Sequence, residues 1–396
     1  MPFLTTTKML FAKKDSVVGV SSDPLDKANN YATPTLSDVR VRESSVTLTP
    51  ERDDEDSSYQ NGTLAGDESI TGKIVGAAKF YIKGESGEFI DGTSAQHKIN
   101  FAKFFETSGC NRIDIKDSVL ASTIKFPISY LFYPSSTAVN NTITLTEVVT
   151  DESKNSVATE TYGAVGTFKI SADGTGKPLK IEFDYAGAGE TTPNGIWDIS
   201  PTNTAKLAFD TANISQIVAE KYVNTSITIT DLETLAVSTF CSPSLMFDAG
   251  MEKSVVECQN TSGGIRNNYI SGMKPRLEIT PMLQTLTNFD FWQGMTSQGK
   301  YSIDIIVDTT VANIPPIRLF VPRAELLNAP MSDTEGRVIN TMTFRPLENL
   351  EKTLPTLKYY VQSTGLTSNF SYTGSSLIGN ELGAMWFLAI GERERE

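Results

Sequence analysis

Histidine is nearly missing from this chain: His97 is the only one in 396 residues. Zinc sites, Ser-His-Asp triads and Cys-His dyads draw on imidazole, and one ring is too few for most of them. His97 lies among polar neighbours, Ser94-Ala95-Gln96-His97-Lys98, and reads as an ordinary loop residue. Cysteine is scarce too. Cys110, Cys241 and Cys258 are odd in number, widely spaced and form no CxxC pair. That pattern points to free, buried thiols in a reducing cytoplasm rather than to a disulfide framework. Long apolar runs are absent. The longest, Leu382 to Ile390, is about half of the ~20 residues a bilayer crossing needs, so no membrane span is expected. The opening Met1 to Asp15 sets Lys8, Lys13 and Lys14 around a short apolar patch and has no signal-peptide core. Positive charge is in deficit: Asp+Glu number 47 against 34 Lys+Arg, a net charge of −13. A protein that grips nucleic acid through its phosphates needs clustered cations, so a DNA-gripping role is excluded and a DNA-repelling one is not.

Two motifs need weighing. No G-x-S-x-G elbow and no G-x-G-x-x-G opening a helix is present. Gly294 to Tyr301, GMTSQGKY, has the G-x-x-x-x-G-K frame of a phosphate loop, but Tyr301 stands where a magnesium-binding hydroxyl belongs. Its context is reversed as well, with a helical pattern before it and a strand, Tyr301 to Val307, after it, so Gly299 reads as a helix C-cap. The acidic run Glu51-Arg52-Asp53-Asp54-Glu55-Asp56 lacks the glycine and distal glutamate of a calcium loop and reads as a solvated, mobile loop. No residue emerges as catalytic, cofactor-binding or metal-ligating, and neither an enzyme nor a cofactor is expected.

What the chain does have is alternation. From Ser69 to Lys83 the even positions Ile70, Ile74, Ala78, Phe80 and Ile82 are apolar, while Lys73, Lys79 and Lys83 fall among the odd ones. That is a long strand with one wet face. Val41 to Thr49 alternates likewise, Pro50 ends it, and the acidic loop to Gly62 joins the two into a long antiparallel hairpin. A helix follows, capped by Asn100, with Phe101, Phe104 and Phe105 on its core face and Gly109 as its stop. Further strands are expected over Thr123 to Tyr133, Asn141 to Val149, Gly163 to Ser171 and Leu179 to Tyr185. Ala186 to Pro201, rich in Gly, Thr and Pro, is the linker candidate.

Beyond it the order repeats. Leu235 to Phe247 corresponds to the first hairpin arm and Asn268 to Thr280 to the second, with Met273, Leu277 and Ile279 dry and Lys274, Arg276 and Glu278 wet. Asn288-Phe289-Asp290-Phe291-Trp292 echoes Asn100-Phe101-Ala102-Lys103-Phe104, and strands over Ile303 to Val307, Ile317 to Val321 and Val338 to Phe344 complete the set. We read this as a diverged internal duplication.

The segment Asp38 to Pro50, the strand Gly72 to Phe80, the aromatic helix ending Ser108-Gly109-Cys110, and the pair Gly163 to Ile170 with Phe183 to Gly187 together resemble the tail tube proteins of long-tailed bacteriophages. The resemblance covers Asp38 to Gly189 and, more weakly, Leu207 to Glu348. It implies a mainly β fold: two β-sandwich or barrel-like tube domains, each with a long hairpin and one short α-helix, that form a closed β-barrel ring on oligomerisation. The expected division is an N-terminal arm (1–35), tube domain 1 (36–189), a linker (190–206), tube domain 2 (207–350) and a C-terminal arm (351–396). The first arm would need a neighbour to order it, and the last would be accessory to either domain.

The implied function is that of a structural virion protein, the major tail tube subunit, assembled in the host cytoplasm. Its stacked rings would form the channel for the tape measure protein and for DNA, which passes without specific binding through an acidic lumen. Its partners would be itself, the tape measure protein, the tail terminator and the distal tail or baseplate proteins. Two hairpins per chain would make the ring a homotrimer with pseudo-six-fold symmetry, since barrel diameter grows with strand number. The alternatives are another β-rich virion component, such as a baseplate or adhesin piece, and less favourably a carbohydrate-acting enzyme with paired carboxylates in a cleft.

Overall fold

A computed structural model of the chain describes residues 7–18, 20–32, 49–58, 64–81, 102–115, 129–135, 138, 140–151, 153, 155–188, 196–207, 225–242, 244–257, 265–281, 289–307, 317–334, 337–350, 357–361, 366–370 and 383–390. In chain order, the first strands are β1 (Thr7–Lys14), β2 (Thr49–Ser58), β3 (Leu64–Tyr81), β4 (Cys110–Ile115), β5 (Ser129–Pro134), β6 (Ile143–Thr150), β7 (Ser156–Ala172), β8 (Lys180–Ala188) and β9 (Ile196–Ile199). Then come β10 (Thr225–Asp231), β11 (Val237–Phe240), β12 (Leu245–Asp248), β13 (Met251–Glu257), β14 (Ile265–Met273), β15 (Arg276–Ile279), β16 (Lys300–Val307) and β17 (Ile317–Asn328). The last are β18 (Met331–Thr334), β19 (Arg337–Asn340), β20 (Met342–Pro346), β21 (Leu357–Val361), β22 (Leu366–Phe370) and β23 (Phe387–Ile390). The α-helices among the described residues are short: α1 (Ala102–Glu106), α2 (Pro201–Leu207) and α3 (Phe291–Thr296). The fold is mainly β.

Two strands organise the sheet. The first part of β7 pairs with β6 and β9, and β6 pairs in turn with β1. After a register shift between Tyr162 and Val165, its later part pairs with β8 on one side and β12 on the other. From β8 the sheet runs to β3 and β2; from β12 it runs through β15 and β20 to β17. There it forks. One edge of β17 pairs with β16, which leads to β10 and β11. Its other edge is shared between β20 and, over Ile317–Phe320, β23, which leads to β5 and β4. Side chains from both branches and from the strands before the fork meet in one core, where Ile170, Leu245 and Phe247 of β7 and β12 line the same space as Ile305, Leu319 and Leu388. Among the described residues no closed barrel and no duplicated tube domain is seen, because strands of both halves interleave around that core. The order of hairpin, short helix and strand nevertheless occurs twice, once through β2, β3, α1 and β4 and once through β12 to β15, α3 and β16.

Local chemistry explains most elements. Phe104 and Phe105 of α1 are fully buried, and Phe105 lies edge-on to Phe132 and Phe168 at 5.0 and 4.5 Å. Gly109 closes that helix in the left-handed region, at φ +68°. Asn100 and Phe101 lie outside the described residues. The cap of α3 is Asp290, whose carboxylate accepts from the Gln293 amide at 2.9 Å, and Asn288 is outside the described residues. The second hairpin starts later than expected, because β11 pairs with β10 and only β12 pairs with β15. Its strands continue as β13 and β14 past a bend at Gly250, where φ is +60° and a Cβ would stand 2.0 Å from the Lys274 carbonyl oxygen. Only glycine lets those two backbones approach.

Several expectations are corrected by burial. The N-terminal arm orders on its own chain: β1 alternates Leu10 and Ala12 into the main core with Phe11 into a second one, and backbone pairing with β6 holds it. The acidic run is not a loop. Glu51 to Asp56 belong to β2, with Asp53 opposite Ser69, and Pro50 sits inside the strand before a register shift. Proline is tolerated there because, among the described residues, no strand pairs with the outer edge of β2. The expected partner Val41 to Leu48 lies outside the described residues. The stretch read as a linker contains β9 and leads into α2, with Ile199 and Leu207 buried. Cys110 is buried, whereas Cys241 is exposed; Cys258 is outside the described residues.

The C-terminal segment is core. Leu388 and Ile390 are fully buried in β23, and Trp386 lies edge-on to Phe168 at 5.6 Å and to Phe247 at 5.3 Å. A chain ending at Leu350 should therefore lose its cooperative thermal transition. Trp386→Ala should cost about 3–5 kcal/mol in chemical denaturation, the usual price of emptying a buried aromatic site.

The strap after β1 is tied down by polar contacts. Asp15 accepts from the Thr142 and Thr144 hydroxyls at 2.7 and 2.5 Å, Ser21 donates to Glu160 at 2.6 Å, and Lys27 donates to Glu160 at 2.9 Å. Burial raises the Asp15 carboxyl above its ordinary value, against those hydrogen bonds. A raised folded value means that the folded chain binds this proton more tightly, so stability is lost as pH rises through it. Asp15→Asn should gain stability relative to the parent between about pH 4 and pH 7, which denaturation midpoints across that range will show.

Candidate interaction surface

Antiparallel register sets one row of side chains across eight strands on the wet face. Lys79 of β3 is opposite Glu182 of β8, Glu182 opposite Lys169 of β7, Lys169 opposite Asp248 of β12, and Asp248 opposite Arg276 of β15. Arg345 of β20 comes next, one residue past the Leu277↔Phe344 pair. Glu325 of β17 is opposite Arg345, and Lys300 of β16 is opposite Glu325. Residues directly opposite share a face, so the row crosses about 34 Å at ~4.8 Å per strand. The same strands send Ala78, Phe168, Phe247, Leu277 and Phe344 to the core.

The ion pairs are layered. Lys79 contacts Glu182, Arg276 reaches Glu278 at 2.7 Å, Arg345 reaches Glu325 at 2.6 Å, and Lys300 lies 3.6 Å from Glu325. In each the cation is the more exposed partner: 45% against 24% for Lys79 and Glu182, 56% against 25% for Arg276 and Glu278, 55% against 15% for Arg345 and Glu325. Lys169 and Asp248 are evenly exposed at 3.7 Å, and Lys180 and Asp173 reverse the order. The hydrogen bond from Arg345 is the main cause that holds Glu325 below the ordinary carboxylate value, and Glu182 holds Lys79 above the ordinary ammonium value. Those charges persist across neutral pH.

A cleft of about 520 Å³ opens on this face beside Lys79, Lys169, Lys180, Asp173, Glu182 and Glu278. Its carboxylates are each ion-paired, Glu182 with Lys79, Asp173 with Lys180 and Glu278 with Arg276.

The other feature is the β2–β3 hairpin. From Lys73 to Tyr81, β3 is held by β8; among the described residues, 64–72 pair with β2 alone and the outer edge of β2 meets no strand. At ~3.4 Å per residue, that free portion is about 30 Å long. The second hairpin behaves differently. Its β13 and β14 lie against the body, where Lys253 donates to the Asp184 carbonyl at 3.2 Å and Asn268 to the Gly163 carbonyl at 3.1 Å.

The motifs weighed from sequence fall elsewhere. In the phosphate-loop frame, Gly294 is inside α3, and the left-handed residue is Gln298, at φ +56°, rather than Gly299. Gly299 instead leaves room for the Tyr301 ring. Burial and the nearby Asp231, Asp290 and Glu233 push the Tyr301 hydroxyl up to about 12, and the same carboxylates would repel a phosphate. Cys110 is pushed up by burial and by Glu106, which makes it a poor nucleophile. His97 lies outside the described residues. Among the described residues, no three His, Cys, Asp or Glu side chains group as a metal site, and no helix is long and apolar enough to cross a membrane.

No family model matches the chain, and neither does any curated protein. Among solved structures, one match is a chain of the six-fold symmetrised cryo-EM structure of the anti-feeding prophage baseplate. It is 14% identical, and the overlap covers 31% of this chain and 87% of that one, with a TM-score of 0.24. A score that low does not establish a shared fold.

The charged row was invisible in sequence as a unit. Alternation puts Lys79, Arg276 and Glu278 on wet faces, but nothing local says which strands lie side by side. Because these pairs are partly exposed, Arg345→Gln and Lys169→Gln should each change the denaturation free energy by less than ~1 kcal/mol. A larger loss would make the row part of the folding machinery.

Proposed function

We propose that the chain is a structural subunit of a tailed-phage type of virion assembly and that it acts by self-association rather than catalysis. The observation that carries this is the free portion of the β2–β3 hairpin. Two strands alone are marginal in water, and an edge of ten residues is a template for pairing. Copies that pair hairpin to hairpin satisfy both demands, and a closed ring leaves no edge behind.

This class includes a baseplate or other β-rich virion component, which needs nothing beyond that contact. The narrower proposal is the major tail tube subunit, located in the tail and assembled in the host cytoplasm. It would work with the tape measure protein, the tail terminator and the distal tail proteins, and DNA would pass unbound. The recurring order of hairpin, helix and strand supports it, with 36–189 and 207–350 as diverged copies that share one core. A three-chain ring would require β13 and β14 to leave the body and act as the second hairpin, whereas six chains need only β2 and β3.

Negative-stain imaging and mass photometry of the purified full chain test this. Rings or tubes are expected, and symmetry counts separate three chains from six. Lone globules at micromolar concentration would overturn the proposal.

A further inference from the structure

The cation-topped row and the acidic strand belong to the same polypeptide but cannot meet within one copy. Asp53 pairs with Ser69, ten residues along β3 from Lys79, which places the acidic run about 34 Å from the near end of the row. We propose that the row receives the acidic β2–β3 hairpin of a second copy of this chain, as the contact that stacks one ring on the next. The proposal deepens the reading above and rests on it.

Charge complementarity carries the argument. Glu51 to Asp56 contain five carboxylates and one arginine. A chain of net charge −13 repels such a segment overall. The row does not: Lys79, Lys169, Arg276, Arg345 and Lys300 stand against four carboxylates, Glu182, Asp248, Glu325 and the Glu278 that pairs with Arg276, and three of the cations are clearly more exposed than their partners. Dimensions permit the contact, since the six-residue acidic run spans about 17 Å and fits within a row of about 34 Å. The two surfaces differ, so the contact is head-to-tail and propagates, which is the geometry of a stack rather than of a closed dimer.

Sedimentation velocity of the full chain reads the outcome. Wild-type stacks should weaken about tenfold or more between about 50 and about 300 mM NaCl, while single rings, held by backbone pairing, persist. Two charge-reversed chains sharpen the test. One carries Lys169→Glu, Arg276→Glu and Arg345→Glu; the other carries Asp53→Lys, Asp54→Lys and Glu55→Lys. Each alone should form rings that do not stack, and an equimolar mixture should stack again because each hairpin then finds an opposite face. Rings that never stack, stacks indifferent to salt, or folded variants that fail to complement would overturn this inference and leave the ring reading intact. Wild-type chains that form no rings would overturn that reading first. If either variant fails to fold by circular dichroism, the wild-type salt series decides alone.

Discussion

The packing of Trp386 against Phe168 and Phe247 is the constraint on which the rest depends. Those three rings come from β7, from β12 and from the segment that enters β23, which are remote in sequence. Bringing them together requires a sheet that forks, because one continuous layer cannot present β12 and β23 to the same side chain. β17 makes the fork by giving one edge to two strands, and β7 feeds the fold from the other end by serving two sheets in turn. The apolar run that ends the described chain is thus explained without a membrane or a partner. It is a strand with neighbours on both edges and buried side chains on both faces, and such strands read as continuous hydrophobic segments.

How far the sequence revealed this depends on the range of the cause. Period-two alternation is local, so β3, β6, β8, β15 and β16 were legible from their own residues. So was α1, whose phenylalanines and closing Gly109 lie within one short segment. Pairing is not local. Nothing in Leu245 to Asp248 names β7 as a neighbour, and nothing in Phe387 to Ile390 names β5 and β17. The acidic run misled for the same reason, since charge predicts solvent exposure and a hairpin edge is solvent-exposed without being a loop. In α3, the echo of Asn100 pointed to Asn288 as the cap, whereas the carboxylate that meets the Gln293 amide is that of Asp290.

The charged row shows what register adds to composition. Cross-strand neighbours of opposite sign stabilise a sheet modestly, and exposed pairs contribute little each. A face built only for stability has no need to lift its cations above its carboxylates. Lifting them changes what the surface presents outward: an acidic protein acquires a band whose outermost charges are positive. The pairs also fix those charges, because Arg345 holds Glu325 ionised and Glu182 holds Lys79 protonated. The band therefore keeps its sign when pH drifts.

On the proposed reading, the two hairpin contacts obey different physics, and that difference orders assembly. Edge pairing buries backbone donors and acceptors, is short-ranged and scarcely feels salt. The docking of an acidic hairpin on a cationic row is long-ranged, steers encounter and fades with ionic strength. A lone subunit offers a marginal hairpin to the row, so the entropy of ordering it opposes capture. Once copies have paired edge to edge, that entropy is already spent, and the same acidic strands are held in a fixed array. Rings are then better ligands for the row than free chains are, and stacking follows closure rather than competing with it.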